Sequence, residues 1–220
     1  MSLSPDFLDI IYRIPALLVA FMMHELSHAL VALGCGDDTA KRAGRITLNP
    51  IRHIDPIGAL LLIVARFGWA KPVPINPDNF RNRRAGIVAT SLAGPASNVV
   101  MALIAALALA LPRAFWLRPL FGSADAIRIL QGLVQEFYWV NIMLASFNLL
   151  PIPPLDGSKA LFSFMPDRIY YGYLLKYERY GMFLLIALSM TRILGTMLSP
   201  VINGISSFVI WVVTRVAVLA

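Results

Sequence analysis

The sequence predicts an all-α polytopic membrane protein with about five to six transmembrane helices and a short β or re-entrant element after the first helix. Three observations carry that prediction. Hydrophobic residues make up 58% of the 220, charged residues only 14%, and the mean hydropathy is +0.71, far from the balance of a soluble domain. The apolar residues gather into runs of about 20, the length a helix needs to cross the hydrocarbon core of a bilayer. Short polar stretches rich in proline and basic residues separate these runs, leaving room for one membrane-embedded domain over residues 1–220 and none for a separate soluble module.

The first span runs from near Ile14 to near Leu33, with Pro15 placed in its first turns, where a missing amide hydrogen costs least. It is too long for the core of a signal peptide and no small-x-small site follows, so it is expected to stay in the mature protein. Gly34 and Gly36 stop it. From Asp37 to Pro56 the chain is polar and basic, and the residues from Arg45 to Leu48 favour a short strand. Ile57 to Trp69, interrupted by Arg66, is too short to cross alone and predicts a half-spanning or re-entrant piece. Pro72, Pro74 and Pro77 then rule out helix and leave an extended edge or loop. Gly86 to Leu111 is a clear span, and its early run of small residues predicts a close helix contact. After Pro112, Pro119 and Gly122, Ile127 to Leu150 spans again, with Gln135, Glu136 and Asn141 as polar interruptions. Leu174 to Leu198 and Val201 to Leu219 predict one or two final spans divided at Pro200.

Net charge is +7, but the basic residues are scattered through connections without stacking aromatics, which argues against a nucleic-acid partner. They follow the positive-inside pattern instead. Lys41, Arg42, Arg45, Arg52, Lys71, Arg81, Arg83 and Arg84 share one side with Lys159, Arg168, Lys176 and Arg179, while Arg13, Arg113 and Arg118 face the other. The first side is therefore assigned to the cytoplasm and the amino terminus to the outside. The single cysteine, Cys35, forbids an internal disulfide and a multi-thiolate metal site, so any metal must be held by His, Asp or Glu.

The first span carries His24, Glu25 and His28. One ionised residue at the centre of a membrane helix costs about 2.5–3.5 kcal/mol on insertion scales, which makes a functional reading the default. At i and i+4 the two histidines lie on one helical face, where both imidazoles can reach one ion, and Glu25 projects beside it as candidate general base for a water. H-E-x-x-H also arises by chance around solvated histidines, but a solvated face is excluded if this run lies in lipid. A packed interior, a wet cavity or a metal site remains. A catalytic zinc ion usually has three protein ligands. Far downstream, Pro151, Pro153 and Pro154 end a span, and Asp156 follows on a rigid turn before Gly157. Its carboxylate is a candidate third ligand, or else a cap for a helix over Ser158 to Phe164.

Together these residues resemble the site-2 protease family of intramembrane zinc metalloproteases, whose signatures are H-E-x-x-H in one transmembrane helix and N-x-x-P-x-P-x-x-L-D-G in a later one. Here they stand as His24-Glu25-Leu26-Ser27-His28 and as Asn148 through Gly157, with every signature residue present. The GPASN segment from Gly94 to Asn98, with the LNPIRHIDPIG and GWAKPVP stretches, is similar to the compact branch that lacks a PDZ module. The likeness covers most of the chain to Phe164. It implies a catalytic core over about residues 7–165 followed by C-terminal helices over about 174–219. It further implies one Zn2+ held by His24, His28 and Asp156, Glu25 as base, and Asn148 at the substrate backbone or the tetrahedral intermediate. The implied partners are the lipid bilayer and a single-span membrane protein, cut near the cytoplasmic face of a prokaryotic plasma membrane to release a soluble, regulatory fragment.

A helical peptide bond is shielded by its own hydrogen bonds, so such an enzyme must unwind its substrate. The segment from Trp69 to Ile75, with Val73 and Ile75 as candidate contacts, or the strand around Ile46, is expected to pair with it as an added strand, or else to lie as a plain surface loop. Pro151, Pro153 and Asn98 are further candidate substrate contacts; Asn98 equally suits an interhelical hydrogen bond. His53 is read as a loop hydrogen-bonding residue. Glu136 lacks an evident partner. Two other functions compete: a metal- or proton-coupled carrier, since buried histidines and carboxylates also mark ion pathways, and an inactive protease-like scaffold. No inverted repeat supports the first, and no missing signature residue supports the second.

Overall fold

The computed structural model describes residues 5–58, 68–110 and 124–219. Seven α-helices lie wholly among them: α1 (Pro5–Cys35), α2 (Thr39–Arg42), α3 (Arg83–Ala110), α4 (Ala124–Asn148), α5 (Asp156–Phe162), α6 (Asp167–Ser189) and α7 (Ile193–Leu219). Short 3-10 turns at Pro50–His53 and Pro77–Asn79 start on Asn49 and Asn76, whose side chains accept the amide hydrogens of Ile51 and Asp78. The all-helical expectation holds. Most of the half-spanning piece expected over Ile57 to Trp69, and the connection through Pro112, lie outside the described residues.

Helix α3 is the axle of the fold, packing against α1, α4, α5 and α7. Lipid tails are as apolar as leucine, so helices associate through close van der Waals fit, which small residues permit. Ala102 and Ala105 of α3 accordingly meet Tyr138 and Ile142 of α4 and Val209 and Val213 of α7, while Ala16 and Ala20 of α1 meet Val140. Gly86 lies so close to Phe80 that a Cβ there would overlap its ring. The close helix contact predicted for this span is at Gly94, where a Cβ would overlap His24 and His28 of α1.

Among the described residues, three helical segments are long and apolar enough to cross a membrane: Tyr12–Cys35, Arg83–Ala110 and Ile193–Val216. Five to six was the expectation. Helix α4 does not qualify because Gln131, Gln135, Glu136 and Asn141 dilute it, and in α6 only Tyr180–Ser189 is apolar throughout. Pro200 does not divide the last region. It removes the amide that the Thr196 carbonyl would accept, and the Ser199 hydroxyl donates to that carbonyl instead (3.3 Å), so α7 continues and the break falls between Ser189 and Ile193. Pro15 sits well inside α1, which starts earlier than its hydropathy indicates.

No strand forms over Arg45 to Leu48. The Arg45 guanidinium donates to the carbonyls of Lys71 (2.6 Å) and Pro72 (3.0 Å), so a side chain does the pairing that a strand backbone would do. The one ladder contact among the described residues is an antiparallel bridge between Ile54 and Ala70, beside which the Lys71 amide donates to the His53 carbonyl. His53 itself donates from Nε2 to the Thr47 carbonyl (2.9 Å), the loop role expected of it. Glu136 does have a partner, the Arg13 Nε at 2.6 Å across α1 and α4.

Asp37 ties this loop region to the end of α1. Its fully buried carboxylate accepts hydrogen bonds from the Thr39 amide and hydroxyl, the Asn76 amide and the Asn79 side chain. Burial alone would oppose its ionisation, but these donors outweigh it and hold its carboxyl below the usual aspartate value. A lowered folded-state value stabilises the fold above the unfolded aspartate range, and that contribution is lost as pH falls through the folded value. Asp37→Asn is therefore expected to lower the melting temperature at neutral pH, and the gap from the parent protein is expected to close below about pH 4. Thermal unfolding in detergent across that range checks it.

Candidate metal centre

Helix α1 presents His24 and His28 one turn apart, and α5 begins at Asp156, directly after the proline-rich turn that ends α4. Chain separation of well over a hundred residues is closed here. Asp156 Oδ2 stands 3.1 Å from the Nε2 atoms of both histidines, and these two nitrogens stand 3.0 Å from each other. All three residues are buried, at 5%, 5% and 8% exposure. Among the described residues they are the cluster able to hold a metal ion. Ligand atoms about 2.0–2.1 Å from a tetrahedral zinc ion stand roughly 3.3 Å from each other, so this triangle is within a few tenths of an ångström of the required size. Two neutral imidazoles and one carboxylate are also the right chemistry for that ion.

The triangle is set by α3. Thr90, Gly94 and Asn98 recur every fourth residue and so form one stripe of that helix facing α1. His28 Nδ1 meets the Thr90 carbonyl at 2.6 Å, and His24 Nδ1 meets Asn98 Oδ1 at 2.7 Å. Both acceptors make Nδ1 the protonated nitrogen and leave each Nε2 lone pair facing Asp156. Gly94 between them leaves the space the rings occupy, since a Cβ there would lie 2.6 Å from His24 Nε2 and closer still to His28 Nε2. Pro95, next in the helix, has no amide to offer the carbonyl four residues back, which loosens the helix at this stripe. Gly157 is required in a similar way, because a Cβ would run into the Leu149 carbonyl where α4 turns into α5.

A cavity of about 750 Å³ opens beside the triangle and is lined by His24, Glu25, His28, Asn148 and Asp156. Its other walls are largely apolar, from Phe21, Val73, Ile75, Phe80, Phe147, Met182 and Leu185. Glu25 Oε2 accepts the Val73 amide hydrogen at 2.8 Å. Asn148 donates its side-chain amide to the Leu144 carbonyl of its own helix (3.1 Å), and its carbonyl end has no hydrogen-bond partner among the described residues. Ile75 lines the cavity; Asn98, Pro151 and Pro153 do not, and Pro154 takes the place expected of the other two prolines. Asn98 is fully buried behind His24, the interhelical alternative raised for it. Thr90, Gly94 and Lys159, whose Nζ stands 3.7 Å from Asp156 Oδ1, were missed from sequence. A glycine followed by proline and, four residues on, an asparagine inside an apolar span was the signal available for the first two.

The chain is 41% identical over 196 residues to a protein of Bacillus subtilis (strain 168) named "Putative zinc metalloprotease YwhC", an alignment covering 88% of this chain and 86% of that one. The model of peptidase family M50 also matches, over residues 118–191, which include Asp156. The chain belongs to peptidase family M50. This M50 peptidase is a zinc metalloprotease in an integral membrane protein. It is 30% identical over 161 residues to "Putative zinc metalloprotease MJ0611" of Methanocaldococcus jannaschii, covering 71% of this chain and 73% of that one. It is 35% identical over 158 residues to "Putative zinc metalloprotease Rip2" of Mycolicibacterium smegmatis, covering 66% of this chain but only 53% of Rip2. No solved structure matches it.

Proposed function

We propose that this M50 peptidase is a single membrane-embedded domain that hydrolyses peptide bonds within the transmembrane segment of single-span membrane proteins, near the cytoplasmic face of a prokaryotic plasma membrane, releasing a soluble fragment with a regulatory role. One observation carries the reading: a buried triangle of His24, His28 and Asp156 opens onto a largely apolar cavity whose wall carries Glu25, and the helix that supplies Glu25 and both histidines is long and apolar enough to span lipid. Bound there, zinc would polarise the scissile carbonyl and lower the pKa of a water toward about 7. Glu25 takes the proton from that water and delivers it to the leaving amine. Asn148, by turning its amide hydrogens from Leu144 toward the cavity, donates to the developing oxyanion. Apolar walls take the side chains of an unwound membrane helix.

The segment after Ala70 supports a binding edge. The Val73 amide meets Glu25 at the cavity wall, Ile75 lies in the same wall, and the prolines at 72, 74 and 77 keep the stretch out of a helix, so its backbone is available beside the site. Val73→Pro deletes the hydrogen bond to Glu25 and is expected to slow cleavage about 10- to 100-fold with zinc retained, the range for one hydrogen bond to a charged group.

The deciding experiment reconstitutes the full chain in liposomes with single-span substrates and maps the new termini by mass spectrometry. New termini inside the apolar segment support the proposal. Cleavage confined to soluble loops, or zinc or proton flux without cleavage, overturns it.

A further inference from the structure

Zinc-binding histidines need their second nitrogen held, because the hydrogen bond at Nδ1 fixes which tautomer presents its lone pair to the metal. His28 is held by the Thr90 backbone carbonyl, which can only accept. His24 is held by a side-chain amide, and an amide can turn either end toward its neighbour. Something must decide which end His24 meets.

We propose that Asn141, through Asn98, fixes the tautomer and orientation of His24, so that an asparagine pair buried between α3 and α4 is part of the zinc centre. The argument starts from two backbone carbonyls. Asn141 Nδ2 donates to the Phe137 carbonyl of its own helix at 2.8 Å, which turns its Oδ1 toward Asn98. That oxygen accepts from Asn98 Nδ2 at 2.8 Å, and the same Nδ2 lies 3.3 Å from the Ala20 carbonyl of α1. With its nitrogen end claimed on two sides, Asn98 has only Oδ1 left for His24 Nδ1, at 2.7 Å. His24 Nδ1 must then carry the proton and Nε2 must be the free lone pair. Both asparagines are fully buried, where an unpaired amide end is costly, so neither is free to flip. The direction of the whole chain is dictated by carbonyls that cannot reverse.

Asn141 touches neither zinc ligand nor substrate cavity; it is a positioning residue that acts through Asn98. Simple helix-to-helix glue would explain the burial equally well, but glue has no reason to choose a tautomer, and that difference is measurable.

The inference rests on His24 being a zinc ligand, which the zinc content of the unmodified protein tests separately. The full-length protein, labelled with 15N-histidine and freed of metal, is compared with Asn98→Leu, Asn141→Leu and the double variant. In the parent protein His24 and His28 both show protonated Nδ1. In Asn98→Leu, His24 shifts toward the Nε2-protonated form while His28, held by backbone, does not. Zinc affinity by chelator competition falls about 10- to 100-fold in Asn98→Leu, the usual cost of losing an outer partner. It falls less in Asn141→Leu, and adding Asn141→Leu to Asn98→Leu costs nothing more. Should Asn98→Leu fail to fold, Asn141→Leu alone decides. Unchanged zinc affinity and an unchanged His24 signal in a folded variant overturn the proposal, whereas a parent protein that takes up no zinc overturns the metal centre itself.

Discussion

Glu25→Gln is expected to lower peptide cleavage by about 10²- to 10⁴-fold while leaving zinc bound, the range for losing a positioned general base. Glutamine keeps the size of the side chain and an oxygen able to accept the Val73 amide, so the wall of the cavity keeps its shape. What it cannot do is take a proton at neutral pH. Glu25 contributes none of the three ligand atoms, which come from His24, His28 and Asp156. Cleavage and zinc content should therefore separate, and measuring both on one preparation checks it. Loss of both together would mean that Glu25 holds the metal site rather than serving it. A carrier would lose flux, not hydrolysis, on the same change.

Gly94→Ala should be nearly as severe by the opposite route. One added methyl falls on both imidazoles, whose rings are clamped at Nδ1 by Asn98 and Thr90 and cannot swing aside without breaking those bonds. The rings must move by more than half an ångström, and the triangle facing Asp156 opens. Zinc affinity is expected to fall at least about 100-fold, with cleavage falling alongside it. Alanine is the better helix former by about 1 kcal/mol, which offsets part of what the broken imidazole hydrogen bonds cost the metal-free protein. Zinc titration beside a thermal melt of the metal-free form distinguishes a blocked site from a misfolded chain.

How much of this was legible depends on the range of the interaction. His24 and His28 lie four residues apart on one helix, so helical geometry alone placed them on one face, and the structure has them there. Asp156 lies far away in sequence, and no periodicity could distinguish a ligand from a helix cap. The resemblance of the Asn148 to Gly157 motif named it, and the turn that brings α5 under α1 places it. The stripe of Thr90, Gly94 and Asn98 was readable as a packing face but not as a cradle for imidazoles, because what fills the space above a glycine belongs to another helix. The strand expected near Ile46 failed for a related reason. Local residues favoured extended backbone, but the Arg45 side chain took the carbonyls that a paired strand would have used. Three of the expected five to six spans qualify among the described residues, and the region over α4 does not because its apolar length was counted through Gln135, Glu136 and Asn141, of which Glu136 pairs with Arg13 at an exposed position and Asn141 with Asn98 inside the bundle.

The central claim is that one zinc ion is bound by two imidazoles from α1 and one carboxylate from the start of α5. X-ray absorption at the zinc edge on the purified full-length protein, with metal content measured on the same sample, tests it most directly. About one zinc per chain, with nitrogen and oxygen neighbours near 2.0–2.1 Å and the outer-ring scattering of two imidazoles, is the predicted result. A protein without stoichiometric zinc, or zinc whose surroundings lack imidazole or contain sulfur, would contradict it.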